Sequence, residues 1–486
     1  MTIRGLLYAP QRALHALVRR ALASWVNVQC FPDPLRIDAA TPVFYVLPRP
    51  SLTDAALLDA LTRHANVPRS HQAIDVGGRL ELRACFALYD DRHREASSRL
   101  ARLTADVLAG RVPDVRLVPD LATLKPVPWA STPRWMAIHD CLELNGEPCL
   151  FAPRQVLKTV LARYAEQGLT PVVAPEIEFY LCAANTDPTQ PLAAPTGRGG
   201  RAEVGQSAFS LNMLNELAPF WGAFQQAIDT LGIQADTWIH EVGCSQYEIN
   251  LWHGDPVSVA DQAFLFKHAA REVAIAHGIN AVFLAKPLAD EAGSSMHLHV
   301  SVVDGAGANV FSAADGSEQP CFRQFIAGLQ TYLPDLMLLL APHVNSYRRF
   351  VKGSQAPIHL QWGYDNRTAG LRVPQSGPAA RRVEQRVAGA DANPYLAIAA
   401  TLAAGLAGIE EGLTATAPIS GDGYAHDHGL PRHPREAWQR LHDSPHARRL
   451  LGDDFVTGLL AVKEIEFDHY DRELSAWERR FLLPQV

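Results

Sequence analysis

The chain has 486 residues, 48% of them apolar and 20% charged, and a formal net charge of -7 at pH 7. This length allows two or three domains with a sizeable core, and the negative charge excludes a general attraction to nucleic acid. No apolar run approaches the roughly 18 residues of a membrane span, and seven cysteines without CxxC spacing indicate reduced thiols in a cytoplasmic protein.

Residues 1–112 are predicted to form a segment of their own. Its first 32 residues carry four arginines and no acidic residue, which fits a terminal surface helix or an amphipathic helix at an anionic membrane surface. A strand is predicted over 41–47, and a charged helix over about 92–108. Because the composition then shifts, we place a boundary near residue 112 and assign 113–486 to a second domain.

The second domain begins with alternating helices and strands. Helical patterns are predicted over about 153–167, 211–231 and 256–277, and a loop rich in Pro, Gly and Thr over 184–203. The chain is predicted to be mostly helical after Asn393, which a proline follows at the first helical position.

Three predicted strands of this domain carry polar side chains at alternate positions, and side chains at i and i+2 lie on one face of a strand. The three stripes are Glu176 and Glu178; His297, His299 and Ser301; and Arg382, Glu384 and Arg386. Two further glutamates, Glu241 and Glu248, lie between the first two stripes. For any single pair, a solvated strand face with incidental charge pairing is the alternative interpretation.

Together these residues predict a metal and phosphate site. A carboxylate without a partner loses several kcal/mol of hydration on burial, an objection that a divalent cation removes. Five carboxylates with one or two imidazoles suit Mg²⁺ or Mn²⁺ better than Zn²⁺, which favours fewer ligands with more His or Cys. The interleaved arginines indicate that the metals hold a polyphosphate.

Residues from about 115 to 486 resemble the catalytic domain of the glutamine synthetase family. The segments that carry the resemblance, in the family's order, are Val118-Pro119-Asp120, Pro126-Val127-Pro128-Trp129, Pro175-Glu176-Ile177-Glu178, His240-Glu241-Val242-Gly243, Gln246-Tyr247-Glu248, Lys286-Pro287, Gly293-Ser294-Ser295-Met296-His297-Leu298-His299, Asn345-Ser346-Tyr347-Arg348-Arg349, Asn366-Arg367-Thr368, Arg381-Arg382-Val383-Glu384 and Asn393-Pro394-Tyr395. Within the family, the segment Gln361 to Arg367 and the C-terminal segment Ala461 to Glu478 resemble the gamma-glutamylpolyamine branch.

The resemblance implies an α+β fold in which helices surround a curved antiparallel sheet, here preceded by a smaller, atypical N-terminal α/β segment. It implies an ATP-dependent ligase that joins the gamma-carboxylate of glutamate to an amine, such as a polyamine, through gamma-glutamyl phosphate. The alternatives are an ammonia-using glutamine synthetase and a catalytically silent homologue that binds nucleotide and metal. A homo-oligomeric ring is also implied, provided that the N-terminal segment permits it.

By the same resemblance, two metal ions have separate ligand sets: Glu178, Glu241 and Glu248 for the ion nearer glutamate and the acceptor, and Glu176, His297 and Glu384 for the ion at the nucleotide phosphates. The residues with an implied catalytic role are Arg349, Arg367, Arg386 and Glu384. Those implied to bind substrate or nucleotide are Gly293, His299, Ser301, Gln355, Arg372 and Arg382.

Two features depart from the family pattern. Glutamine synthetases carry a glutamate before Ala-Pro in the flap that helps to deprotonate ammonium, whereas this chain has the neutral Gln355, so an organic amine is the expected acceptor. The family's N-terminal beta-grasp signature is also missing from 1–112. Instead, 31–54 resembles the N-terminal region of bacterial glycerol-3-phosphate acyltransferases, but without the acyltransferase pattern of His and Asp separated by four residues.

Overall fold

The computed structural model describes residues 74–76, 79–81, 115–187, 189–205 and 207–483. The elements predicted before residue 112, namely the basic helix, the strand over 41–47 and the charged helix over 92–108, lie outside these residues. The described chain falls into two compact units, one containing 115–147 with the two short stretches before it, and the other beginning at Pro148. The boundary predicted near residue 112 stays a prediction, because so little of the preceding chain is described.

The first unit contains three short antiparallel pairs of strands. Strand β1 (Ile74–Val76) pairs with β2 (Arg79–Glu81), β3 (Arg116–Pro119) pairs with β6 (His139–Leu142), and β4 (Lys125–Pro126) pairs with β5 (Trp135–Met136). Just after β3, the carboxylate of Asp120 accepts the backbone N–H of Ala122 at 3.1 Å, which caps a short turn.

The second unit is built on one large sheet. Its strands are β7 (Leu169–Ala183), β8 (Ala235–His240), β9 (Gln246–Leu251), β10 (Ile279–Val282), β11 (Met296–Asp304), β12 (Trp362–Tyr364), β13 (Leu371–Val373) and β14 (Val383–Gln385). The order across the sheet is β12-β13-β14-β11-β7-β9-β8, and β10 pairs with the C-terminal part of β7. All of these pairs are antiparallel except β12 with β13, which agrees with the predicted α+β class.

Helices surround this sheet in the described part of the chain. They are α1 (Pro153–Glu166), α2 (Leu211–Glu216), α3 (Ala218–Leu231), α4 (Pro256–Ala276), α5 (Pro320–Tyr332), α6 (Met337–Leu340), α7 (Pro394–Glu410), α8 (Pro434–Asp443), α9 (Pro445–Leu451), α10 (Asp453–Asp471) and α11 (Ala476–Phe481). None of them combines the length and the hydropathy that a membrane-crossing helix requires.

The predicted helices are found with small corrections. The helix expected over 211–231 is two helices that meet at Leu217, because Pro219 has no N–H with which to continue a helix from the preceding turn. Asn393 caps α7 as expected, since its side chain accepts the backbone N–H groups of Tyr395 and Leu396 at 3.0 and 3.3 Å.

The side chains of strand β7 alternate between an apolar and a polar face of the sheet. Its alternate residues Ile177, Phe179 and Leu181 are fully buried. The ring of Phe179 packs edge-on against Phe266 of α4, with 5.9 Å between centroids, and Phe266 packs in turn against Phe224 of α3 at 5.3 Å. Because helices α3 and α4 cover that face, the intervening glutamates of β7 point to the other side.

Candidate active site

The register of four central strands brings the polar stripes together on one face of the sheet. Glu176 of β7 lies opposite His297 of β11, and Glu178 of β7 lies opposite Glu248 of β9. On the other side of β11, His299 lies opposite Glu384 of β14. The strand pairing therefore assembles in space the stripes that the sequence separates by up to two hundred residues.

One group of possible metal ligands consists of Glu176, His297 and Glu384, whose ligand atoms all lie within 4.8 Å of one another. His297 Nδ1 donates to Glu176 Oε2 at 3.1 Å and lies 3.6 Å from Glu384 Oε1. His299 Nε2 donates to the second oxygen of Glu176 at 2.7 Å. This is the ligand set that the resemblance implies for one of the two metal ions.

A second group consists of Glu178, Glu248 and His297, whose ligand atoms also lie within 4.8 Å of one another. Glu178 is fixed by Ser295, which donates its backbone N–H at 2.8 Å and its hydroxyl at 2.6 Å to the two carboxylate oxygens. Both carboxylates are buried, and the imidazole of His297 belongs to both groups. The two groups are therefore adjacent sites on one surface.

The predicted ligand Glu241 lies outside both of these groups. It follows the last residue of β8, and one of its oxygens accepts the N–H of Val242 at 3.3 Å. Its carboxylate is close enough to Glu178 and Arg367 for their charges to act on it. The structure thus places Glu241 at the edge of the second group, beside the exposed Arg367.

The electrostatics of the cluster favour a positive charge among its carboxylates. Burial, together with the negative charge of Glu176 and Glu178, raises the pKa of Glu248 to about 10. Burial and the charge of Glu178 raise the pKa of Glu241 to about 7. Carboxyl groups gathered in this way repel one another when ionised, and a divalent cation bound by their oxygens would relieve that repulsion. The donor set therefore fits a hard divalent metal.

Three arginines border the first group. Arg372 Nη1 donates to Glu384 Oε2 at 2.8 Å, and Arg386 donates to the other oxygen of the same carboxylate. Arg382 Nε donates to His299 Nδ1 at 3.1 Å, which leaves Nε2–H of that ring to donate to Glu176. Although burial alone would raise it, the charge of Arg386 lowers the pKa of Glu384.

The sequence of this chain matches a known protein family. Residues 151–482 match the family described as the glutamine synthetase catalytic domain. The chain belongs to the glutamine synthetase family. Every residue for which we expect a site role lies within the matched range, as do all strands of the large sheet.

Individual relatives of the glutamine synthetase family cover most of the chain. It is 37% identical to gamma-glutamylputrescine synthetase PuuA of Escherichia coli strain K12 over 76% of this chain and 79% of that protein. It is 34% identical to glutamate–isopropylamine ligase of a Pseudomonas species over 75% of this chain and 80% of that protein. The solved structure of the GmaS/ADP complex, conformation 1, aligns with a TM-score of 0.67 and 29% identity over 76% of this chain and 85% of that one.

These matches confirm the expected fold class and enzyme class, because relatives in the glutamine synthetase family are ATP-dependent glutamate–amine ligases. The N-terminal resemblance is also confirmed, since residues 14–121 match the N-terminal domain of the glycerol-3-phosphate acyltransferase PlsB.

Arg349 and Gly293, which the resemblance implies to bind the glutamate substrate, pack against each other beside the metal groups. Arg349 is buried, and its two Nη atoms donate to the main-chain carbonyls of Val387 and Arg386 at 2.8 and 2.7 Å. A Cβ atom on Gly293 would lie 2.6 Å from Cγ of Arg349, so only glycine fits there. Burial lowers the pKa of Arg349 to about 10. In this structure the guanidinium braces the loop after β14, and its contact with glutamate stays a prediction.

The remaining predicted residues lie around the same face. Ser301 follows His299 by two positions on β11 and is half-buried. Gln355 is exposed in a loop, with a positive φ of 65° that strains a residue carrying a Cβ. Its predicted contact with the acceptor stays a prediction.

Sequence reasoning assigned no role to two residues that the structure places at the site. Ser295 fixes Glu178 through two hydrogen bonds, and Asp365 holds Arg372 with an oxygen 2.7 Å from Nη2. Both occur in segments that carry the family resemblance, so their position was a signal. Their partners, however, depend on pairings between distant strands.

Proposed function

We propose that this protein joins the gamma-carboxylate of glutamate to an organic amine in an ATP-dependent reaction that passes through gamma-glutamyl phosphate. The observation that carries the proposal is the single sheet face on which two adjacent carboxylate and histidine groups are bordered by arginines. Cytoplasmic location and assembly into a homo-oligomeric ring belong to the same proposal.

The chemistry requires such a face because an amine does not displace hydroxide from a carboxylate at a useful rate. ATP first phosphorylates the carboxylate, and the amine then expels phosphate. Negative charge gathers between two anions in the first step, and fixed positive groups lower its energy. Arg372 and Arg382, which border the carboxylates, are suited to orient and neutralise the phosphates.

Divalent metal ions would supply charge neutralisation and polarisation of the phosphoryl oxygens when bound. Glu176, His297 and Glu384 would hold one ion, and Glu178 and Glu248 the other, with Glu241 at its edge. The strand ladder holds these ligands, so they are organised before substrate arrives.

Two observations support an organic amine over ammonia. Gln355 cannot accept a proton from ammonium near neutral pH, because an amide is not a base in that range. In addition, the two relatives reported above are named for putrescine and for isopropylamine. A primary alkylammonium group has a pKa near that of lysine, about 10.4, so a group other than Gln355 must take its proton before the amine attacks.

A second candidate is a homologue that binds nucleotide and metal without turnover. It is favoured by one observation, namely that residues 14–121 match a domain of an unrelated enzyme family. In glutamine synthetases the N-terminal domain completes a neighbouring subunit's active site, so a different domain would leave that site incomplete.

Phosphate release from ATP separates the two candidates. Purified protein with glutamate and Mg²⁺ or Mn²⁺ is assayed with putrescine, isopropylamine, ethanolamine and ammonium. We expect release that depends on both glutamate and an organic amine, and mass spectrometry should detect the gamma-glutamyl amide. Release with ammonium alone would replace the proposal with glutamine synthesis. Nucleotide binding without release under any condition would establish the silent homologue.

A further inference from the structure

The loop that carries Gln355 is exposed and strained. This flap, residues 350–357, is described throughout and forms neither helix nor strand. Val351 is 55% exposed, and Lys352 and Gly353 beside it are exposed as well. Gln355 has a positive φ of 65°, which costs free energy in a residue with a Cβ. Such a loop keeps one conformation only where other segments hold it.

A later segment of the chain, residues 422–430, forms hydrogen bonds with the flap and with the residues just past its end. Tyr424 Oη donates to the carbonyl oxygen of Ala356 at 3.0 Å. The backbone N–H groups of Gly429 and Leu430 donate to the carbonyl oxygen of Ile358 at 2.9 and 3.2 Å. The hydroxyl of Tyr424 thus contacts the residue that follows the strained position.

The backbone that presents this hydroxyl is itself fixed. Asp422 Oδ1 accepts the N–H of Tyr424 at 2.9 Å, and Thr368 Oγ1 accepts the N–H of Gly423 at 2.7 Å. A Cβ on Gly423 would lie 2.6 Å from the carbonyl oxygen of Thr368, so the turn packs too closely for a larger residue. Burial raises the pKa of Tyr424, so its hydroxyl keeps its proton near neutral pH and can donate it to a carbonyl.

The same hydroxyl lies beside two arginines of the candidate active site. The charges of Arg386 and Arg349 both act on Tyr424. The flap is also tied to Arg349 at its base, because Ser354 Oγ donates to the carbonyl oxygen of Arg349 at 2.9 Å. A movement of the flap away from Tyr424 would therefore expose the region in which the resemblance implies that glutamate binds.

We propose that Tyr424 is a positioning residue whose hydroxyl holds the flap in place until the amine attacks gamma-glutamyl phosphate. The inference rests on the proposed function and adds a residue that takes no part in the metal groups. When the flap is released, water attacks the gamma-carbonyl carbon in place of the amine. The bond from that carbon to the phosphate oxygen breaks, and the water's protons pass to solvent. Glutamate and phosphate are then the products, and ATP is consumed without amide formation.

Limited proteolysis tests the flap contact without turnover. Trypsin cleaves after Lys352, at the exposed part of the flap, and slow cleavage of a native protein follows the population of the open form. Tyr424→Phe keeps the ring and removes the hydroxyl. We expect the full-length variant to yield the fragment that ends at Lys352 about five- to tenfold faster than wild type, the factor that loss of one hydrogen bond implies. Mass spectrometry identifies the fragment.

A matched variant separates loss of this contact from a general loss of stability. Tyr332→Phe also removes a hydroxyl hydrogen bond, in this case to Glu411, which lies outside both the flap and residues 422–430. It should leave cleavage at Lys352 at the wild-type rate, and thermal melts should show that both variants are folded. Equal cleavage rates in Tyr424→Phe and wild type, or the same acceleration in Tyr332→Phe, would overturn the inference.

The ratio of amide formed to phosphate released separates this inference from the proposed function. We expect the two products in equal amounts from wild type with ATP, glutamate and a saturating amine. Tyr424→Phe should release phosphate with glutamate alone about fivefold faster than wild type, because its flap is open more often, and should leave the KM of ATP unchanged. It should also form less amide than phosphate when the amine is present.

The two measurements fail in different ways. Faster cleavage at Lys352 with a wild-type ratio of amide to phosphate would overturn the role of Tyr424 in excluding water. An absence of phosphate release from every protein with every amine would remove the proposed ligase, while the cleavage rates would still decide whether Tyr424 holds the flap.

Discussion

The face that we propose to bind metal and the side that we propose to bind the acceptor are built in different ways. Glu176, Glu178, His297 and Glu384 lie on paired strands whose hydrogen-bonded register fixes their spacing. Gln355, which is predicted to contact the acceptor, lies instead on a loop. The proposed activation chemistry would then depend on the rigid sheet, and the proposed choice of amine on segments that tolerate change.

Removing a strand-borne ligand should have the largest effect. Glu384 is fully buried between Arg372 and Arg386, so Glu384→Ala removes a proposed metal ligand and leaves two guanidinium groups without their counter-charge. We expect metal-dependent phosphate release to fall at least a hundredfold, and the free energy of unfolding to fall by about 3–5 kcal/mol. Phosphate release and denaturant unfolding measure the two effects.

Two further variants serve to interpret that result. Glu384→Gln keeps the shape and should lose activity with a smaller loss of stability, which separates the ligand role from the packing role. Glu464→Ala, at an exposed position of α10, should leave both quantities unchanged. Wild-type turnover in a folded Glu384→Ala protein would remove Glu384 from the ligand set.

A substitution that mimics a protonated ligand should weaken metal binding at the second group without unfolding the sheet. Because the pKa of Glu248 is raised to about 10, the metal-free protein already holds this group neutral near pH 7. Glu248→Gln should therefore retain the metal-free melting temperature, yet show a smaller increase with Mg²⁺ or Mn²⁺ than wild type, because the group of Glu176, His297 and Glu384 stays intact. Thermal melts with and without metal are the measurement. An increase with metal as large as that of wild type would exclude Glu248 as a ligand.

The same raised pKa gives the metal affinity a direction in pH. A metal ion must displace the protons that Glu248 and Glu241 carry, so affinity should rise from pH 6 to pH 8 by up to about tenfold per unit for each proton released. The folding stability of the metal-free protein should change in the opposite direction with pH. Its folded state binds more protons than the unfolded chain above about pH 4, so its stability falls as pH rises. Calorimetry in buffers of different ionisation enthalpy counts the released protons.

Two results would contradict this account. Affinity independent of pH in wild type would mean that the carboxyl groups are already ionised in the metal-free protein. An unchanged pH dependence in Glu248→Gln would assign the released protons to other groups.

The same contrast explains how far the sequence alone could predict the molecule. Alternation along β7 and β11 identified Glu176, Glu178, His297 and His299, because a strand has a fixed period. The pairing of Glu178 with Glu248 was not readable, since a register depends on how distant segments meet. Loops have no period, so nothing in the sequence indicated that Glu203, in the loop between β7 and α2, would accept hydrogen bonds from His240 and Ser245.

Arg349 illustrates a further limit. Its segment carries the family resemblance, but the sequence could not show that both Nη atoms bind carbonyls of the loop after β14. The direction of a long side chain depends on tertiary packing rather than on local pattern. The same holds for Ser295, whose two hydrogen bonds to Glu178 cross from one strand to the next.

The smallest expected effect comes from a single loop position. Gln355→Glu adds a carboxylate at an exposed residue whose positive φ is unchanged by the substitution, so the fold should be unaffected. A carboxylate there can accept a proton from ammonium, and the activity with ammonium relative to an organic amine should rise several-fold. Gln355→Asn, which shifts the amide without adding charge, is the control and should not raise the ratio. An unchanged ratio in Gln355→Glu would show that the flap does not select the acceptor, and would leave that role to groups elsewhere around the site.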